Sequence, residues 1–216
     1  MAKATVEARR PLASRSSGWA QYLSARLSAS RVTPNQISLL SIVWAVLGGA
    51  LLWWSPGWPA FIMAAVCVQL RLLCNLLDGM VAIEGGKSTA TGVLFNEIPD
   101  RLADPLFLVP LGYAAGYPWL GWLTALLAVL TAYIRVLGGS LGQPQDFGGL
   151  LPKQRRMAVL TLALLIQAIE DALRGSRVSL LAAVIIIAVG SLATCIGRTM
   201  AIARRLEEPH VLGESS

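Results

Sequence analysis

Residues 74–104 read CNLLDGMVAIEGGKSTATGVLFNEIPDRLAD, and they lie between two strongly apolar stretches of the chain. Asn75 and Asp78 are three residues apart, and Asn96, Asp100 and Asp104 follow one another at intervals of four. Side chains at those spacings share one face of a helix. Two polar stripes at one depth on consecutive antiparallel helices face each other across a gap. Carboxylates and amides at membrane depth are costly and mark a site.

The membrane setting follows from composition. Of 216 residues, 55% are hydrophobic and only 14% charged, against roughly 25% charged in a soluble domain. Mean hydropathy is +0.62. Only helices and closed barrels satisfy their backbone inside lipid, and the long Leu/Ala/Val runs lack the alternation of barrel strands. The expected fold is therefore all-α and polytopic. Six segments are long and apolar enough to be read as spans, 36–55, 59–83, 90–115, 119–142, 156–172 and 178–203. This divides the chain into a cytoplasmic N-terminal segment over 1–35, a six-helix domain over 36–205 and a cytoplasmic tail over 206–216. Within the first segment, Trp19, Tyr22, Leu23 and Leu27 are spaced for one face of an interfacial amphipathic helix. The long polar stretch ahead of the first apolar run argues against a secretory signal peptide.

Basic residues set the expected orientation. Lys3, Arg9, Arg10, Arg15, Arg26, Arg31, Lys87, Lys153, Arg155, Arg156, Arg198, Arg204 and Arg205 all fall on one side of the six-helix arrangement. The opposite loops hold only Arg174 and Arg177, and the first two of them are uncharged and rich in tryptophan and tyrosine. By the positive-inside rule both termini and the quoted stretch face the cytoplasm, placing the protein in the cytoplasmic (inner) membrane. The net charge of +6 is then explained by the anionic inner leaflet, and nucleic-acid binding is not needed. Cys67, Cys74 and Cys195 fall inside predicted spans without zinc spacing, and His210 is the sole histidine, in the polar tail. Serine–histidine and histidine–metal chemistry have nothing to work with.

The quoted stripe offers oxygen ligands alone, which suit Mg²⁺ or Mn²⁺. The plainer alternative pairs Asp78, Asp100 and Asp104 with Arg71, Arg101 and Arg135 as structural ion pairs. Gly79 follows Asp78 directly, Ala82 is one turn on, and Gly92 is one turn before Asn96. These small residues either admit a ligand or permit close helix packing. The GGKST run at 85–89 lacks both the earlier glycine and the preceding strand of a phosphate loop.

The stretch resembles the signature of the CDP-alcohol phosphatidyltransferases, D-x-x-D-G-x-x-A-R-x(8)-G-x(3)-D-x(3)-D. Here it reads Asn75-x-x-Asp78-Gly79-x-x-Ala82-Ile83, then eight residues, then Gly92-x(3)-Asn96-x(3)-Asp100. RVTPNQIS at 31–38 is similar to the element that opens the first span in many members. LLPKQRR at 150–156 is similar to the basic cytoplasmic end of their fifth helix. The resemblance implies a metal-dependent transferase of phospholipid biosynthesis. It would move a phosphatidyl group from CDP-diacylglycerol to an alcohol, with glycerol 3-phosphate or another phosphorylated polyol among the acceptors, and release CMP. It implies Mg²⁺ or Mn²⁺ bound by the signature acids, with Asp100 as base, a cytoplasmic active site, membrane lipid as a partner and a homodimer. Carried over by position, Asp78 and Asp100 are metal ligands, Gly79, Ala82 and Gly92 leave room for the CDP moiety, and Lys153, Arg155 and Arg156 bind acceptor phosphate.

The chain departs from that pattern at three positions, Asn75, Asn96 and Ile83. An amide oxygen coordinates a hard cation without adding charge, so Asn75 and Asn96 are expected as neutral ligands and Asp104 as the added acid. The site is then expected to hold one metal, or two unequally. The alternative is a catalytically silent member that binds a CDP-lipid or a partner protein.

Overall fold

The computed structural model describes Arg15 and residues 17–207, apart from the side chain of Arg174. Lys3, Arg9, Arg10 and His210 lie outside the described residues. Seven helices run through the described part: α1 Gly18–Ser28, α2 Pro34–Trp54, α3 Trp58–Ile83, α4 Gly92–Ala114, α5 Pro118–Ser140, α6 Lys153–Arg174 and α7 Val178–Glu207. No strand is present among the described residues.

The local signals that start these helices are legible in the chain. Thr33 and Gln36 cap α2 reciprocally: the Gln36 N–H donates to Thr33 Oγ1 at 3.3 Å, and the Thr33 N–H to Gln36 Oε1 at 3.0 Å. Pro34 occupies the first turn of the same helix, where its missing N–H removes no intrahelical bond. The TPNQ element is thus a helix start. At the far end of the chain, Gly175 takes φ +65° to close α6. The Glu170 carboxylate then accepts the Val178 and Ser179 N–H groups at 3.1 and 3.0 Å, capping α7.

Four helices, α2, α3, α5 and α7, are long and apolar enough to cross a membrane. At 23 and 22 residues, α4 and α6 match them in length but carry most of the charge, so the expectation of six spans is met in four on composition. Lipid explains the outer surface. Leu39, Leu40, Val43, Val46 and Leu47 on α2 and Ile185, Ile186, Val189, Leu192 and Ile196 on α7 are all exposed. Apolar surface on that scale needs a nonaqueous partner, and the chain is an all-α membrane protein.

The six longer helices pack in a ring in the order α2, α3, α6, α7, α5, α4 and back to α2, with α4 also touching α3 and α7 across it. Phe61, Phe107, Leu108, Leu111, Leu160, Leu164 and Ile187 fill one end. There α4 and α5 cross closely, because a Cβ on Gly112 would lie 2.5 Å from the Gly121 Cα. Exposed Trp53, Trp54, Trp58, Trp119 and Trp122 gather near the helix ends on that side, and the Trp53 and Tyr113 rings lie 4.2 Å apart.

The N-terminal amphipathic face divides in the structure. Leu23 and Leu27 pack toward Ile37, Cys74, Leu77 and Val81, and Ala20 packs on Leu76 and Met80. Trp19 and Tyr22 point away at 56% and 61% exposure, with Arg26 stacked over Tyr22. The reason is helical geometry: a stripe as wide as Trp19 to Leu27 covers more arc than one contact with α3 can bury.

Candidate functional site

At the end opposite the tryptophans, the ring opens into a cavity of about 900 Å³ lined by residues from all six longer helices. Its walls come from the start of α2, the α3 C-terminus, the α4 and α6 N-termini, the later part of α5, the α3–α4 and α5–α6 connections and one residue of α7. The fold brings together ten of the eleven residues singled out in the sequence: Asn75, Asp78, Gly79, Ala82, Gly92, Asn96, Asp100, Asp104, Lys153 and Arg156. The eleventh, Arg155, is not in the lining. It is exposed and donates from Nη1 to the Leu150 carbonyl at 3.2 Å. Successive residues of a helix are rotated apart, so Arg155 and Arg156 cannot both face inward.

Asp78 is 4% exposed and accepts from Ser38 Oγ at 2.6 Å through Oδ2. Its Oδ1 is buried with no hydrogen-bond partner. Across the cavity Asp100 Oδ1 accepts from Asn75 Nδ2 at 2.6 Å, from Arg71 Nη2 at 3.2 Å and from Lys153 Nζ. Asp104, also 4% exposed, accepts from Arg71 Nη2 at 2.8 Å and from Arg156 Nη2 at 2.5 Å. Two of the three carboxylates, Asp100 and Asp104, thus meet three cations, Arg71, Lys153 and Arg156. Buried charge of this kind is tolerable only when compensated. Asn96 sits at the exposed rim of the same cavity.

The glycines sort by surroundings. A Cβ at Gly79 would meet only Arg15 Nη2 at 3.7 Å, and one at Gly92 only Thr89 Oγ1 at 3.5 Å, both ordinary contacts. No helix packs so closely there that glycine is required, so these two leave room in the cavity. Gly49, Gly112 and Gly121, whose Cβ atoms would strike backbone of a neighbouring helix, are among the packing glycines.

Several residues escaped the sequence reading. Of the three arginines in the ion-pair alternative, Arg71 does pair with Asp100 and Asp104, whereas Arg101 and Arg135 do not pair with the aspartates. Both engage Glu97, with Arg135 Nη2 at 2.8 and 2.7 Å from its two oxygens. Arg135 also donates to Gln145 at 2.6 Å and lies over the Phe147 ring. Lys87 is tied to the Ser30 and Val32 carbonyls at 2.6 and 3.1 Å, although it still lines the cavity. Arg198 donates to the Thr131 and Gly148 carbonyls, anchoring the α5–α6 loop. Ser38, forty residues from Asp78, left no sequence signal beyond its place one turn into α2.

Donor chemistry decides what cation fits. The inward oxygen set is hard, and Asp78 Oδ1 is buried and unpartnered, as a ligand atom facing an ion would be. Among the described residues no three His, Cys, Asp or Glu side chains are close enough to share a metal ion. The residues therefore fit a cation held by few carboxylates with amide oxygens in support.

Comparison with known proteins follows this geometry. The fold is that of a class of phosphatidylinositol phosphate synthases: the Mycobacterium tuberculosis enzyme, solved with manganese and citrate, superposes with a TM-score of 0.72 at 19% identity, over 85% of this chain and 88% of that one. The same enzyme with CDP-DAG bound gives 0.70 at 19% identity, over 85% and 92%. In sequence, the phosphatidylinositol phosphate synthase of Streptomyces avermitilis is 28% identical over 187 residues, covering 82% of this chain and 75% of its own. The Escherichia coli inner membrane protein YnbA is 27% identical over 136 residues, 61% of this chain and 66% of its own. No family model matches the chain.

Proposed function

We propose that the protein is a CDP-alcohol phosphatidyltransferase of phospholipid biosynthesis, transferring a phosphatidyl group from CDP-diacylglycerol to an alcohol and releasing CMP. The observation that carries this reading is the pairing, in one cavity, of an unpartnered buried Asp78 oxygen with Asp100 beneath glycines that packing does not require. Likeness to phosphatidylinositol phosphate synthases supports it. Gly79, Ala82 and Gly92 leave space for the nucleotide. Ser38 holds the Asp78 carboxylate in one rotamer. Asp100 takes the acceptor hydroxyl proton as the oxygen attacks phosphorus and the bond to CMP breaks. Lys153 and Arg156 hold an acceptor phosphate. Asp78 and Asp100, with Asn75 and Asn96, are the ligands for Mg²⁺ or Mn²⁺, which when bound neutralises charge on the pyrophosphate oxygens.

In this reading all six longer helices span the membrane, and α1 lies at its surface with Trp19 and Tyr22 toward the headgroups. The cavity and both termini are cytoplasmic, the tryptophan end faces outward, and the chain forms a homodimer. The domain limits are 1–35, 36–205 and 206–216.

One observation favours a second reading, a catalytically silent binder of CDP-lipid or of a partner protein: Asp100 Oδ1 already takes three internal donors. Purified protein given CDP-diacylglycerol, Mn²⁺ and a panel of alcohols separates the two. CMP release with glycerol 3-phosphate or another polyol phosphate is expected. CDP-lipid binding without CMP from any acceptor supports the silent binder.

A further inference from the structure

Asp104 lies one turn beyond Asp100 on α4, and one carboxylate there joins three helices. Its Oδ1 accepts from Arg71 of α3 at 2.8 Å and its Oδ2 from Arg156 of α6 at 2.5 Å. All three side chains are buried, Arg71 at 0%, Arg156 at 2% and Asp104 at 4% exposure. Arg156 borders the cavity, yet its Nε and Nη1 have no hydrogen-bond partner.

We propose that Asp104 is a positioning residue that sets Arg156 to receive an anionic oxygen in the cavity, and that it does not ligate the metal. Each carboxylate oxygen is committed to a guanidinium. A cation entering there would displace an arginine and leave it buried without a counterion, a costly exchange. A guanidinium is rigid and planar, so holding Nη2 on Asp104 restricts the directions open to Nε and Nη1. Two charged N–H groups left unpaired at such burial are costly until an acceptor reaches them. A phosphoryl group is an acceptor with several anionic oxygens that can reach these donors from the cavity. Arg71 completes the arrangement by reaching Asp100 Oδ1 at 3.2 Å from the same nitrogen that holds Asp104.

The inference rests on the transferase reading only in taking the anion to be a substrate phosphoryl group. Its test uses the full chain in detergent, titrated calorimetrically with Mn²⁺ alone and with inorganic phosphate alone. For Asp104→Asn, Mn²⁺ affinity stays within about threefold of wild type while phosphate affinity falls about tenfold or more. Should that variant not fold, Asp104→Asn/Arg156→Gln removes both charges together, and the same pattern is expected. Loss of Mn²⁺ affinity of about tenfold in the variant that folds overturns the proposal, as does phosphate affinity that Asp104→Asn leaves unchanged or a wild type that binds no phosphate. CMP release by the wild type is measured in parallel. Phosphate binding without CMP release ends the transferase reading and leaves the role of Asp104 standing.

Discussion

Ser38 Oγ donates to Asp78 Oδ2 at 2.6 Å, so the start of α2 fixes the carboxylate that faces the cavity from α3. The other oxygen of Asp78 is buried and unpartnered. The bond is buried and charge-assisted, the kind that is worth about 1.5–3 kcal/mol. Ser38→Ala is expected to lower the rate of CMP release by about tenfold or more while the protein stays folded. Steady-state kinetics at saturating Mn²⁺ checks it, and an unchanged rate removes Ser38 from the site.

Adding one methyl group separates the glycines. Gly79→Ala meets no obstacle in the protein and improves helix propensity by about 1 kcal/mol, so thermal stability is expected to hold or rise while CDP-lipid affinity falls. Gly121→Ala puts a Cβ 2.7 Å from the Val109 carbonyl and is expected to lower stability. Thermal melts in detergent, with and without CDP-lipid, read both effects.

Arg155 and Arg156 are neighbours with opposite surroundings. Arg155→Ala removes an exposed bond to the Leu150 carbonyl, and acceptor KM is expected to change less than about twofold. Arg156→Lys keeps the charge but loses the fork, and KM is expected to rise about tenfold. Equal effects at both positions contradict the inward placement of Arg156.

Glu170 acts far from the cavity. Its carboxylate accepts the Val178 and Ser179 N–H groups at the start of α7. Glu170→Gln is expected to cost about 1–2 kcal/mol of stability, with the specific activity of the folded protein unchanged. Melting temperature and activity per folded molecule measure the two halves of that statement.

Much of this was legible in the chain because the controlling physics is local. Helical spacing placed Asn75 with Asp78 and Asp100 with Asp104. Contacts set by the ring were not legible. Helical spacing gives Glu97 no place in the stripe, yet α5 brings Arg135 to it and it forms part of the cavity wall. Arg156 reaches Asp104 across 52 residues of sequence, and Ser38 reaches Asp78 across 40. Such pairings depend on which helices are neighbours, and periodicity within one helix does not carry that information. Charge likewise misled on Arg155, since residue type alone does not tell which of two adjacent cations faces inward.

The central claim is that Asp78 and Asp100 form one catalytic site acting on a CDP-linked lipid. Release of CMP from CDP-diacylglycerol with Mn²⁺ and a polyol phosphate, compared among wild type, Asp78→Asn and Asp100→Asn, tests it most directly. The account predicts turnover by the wild type and a loss of about a hundredfold or more per folded molecule in each variant. Turnover that survives in both variants would contradict it.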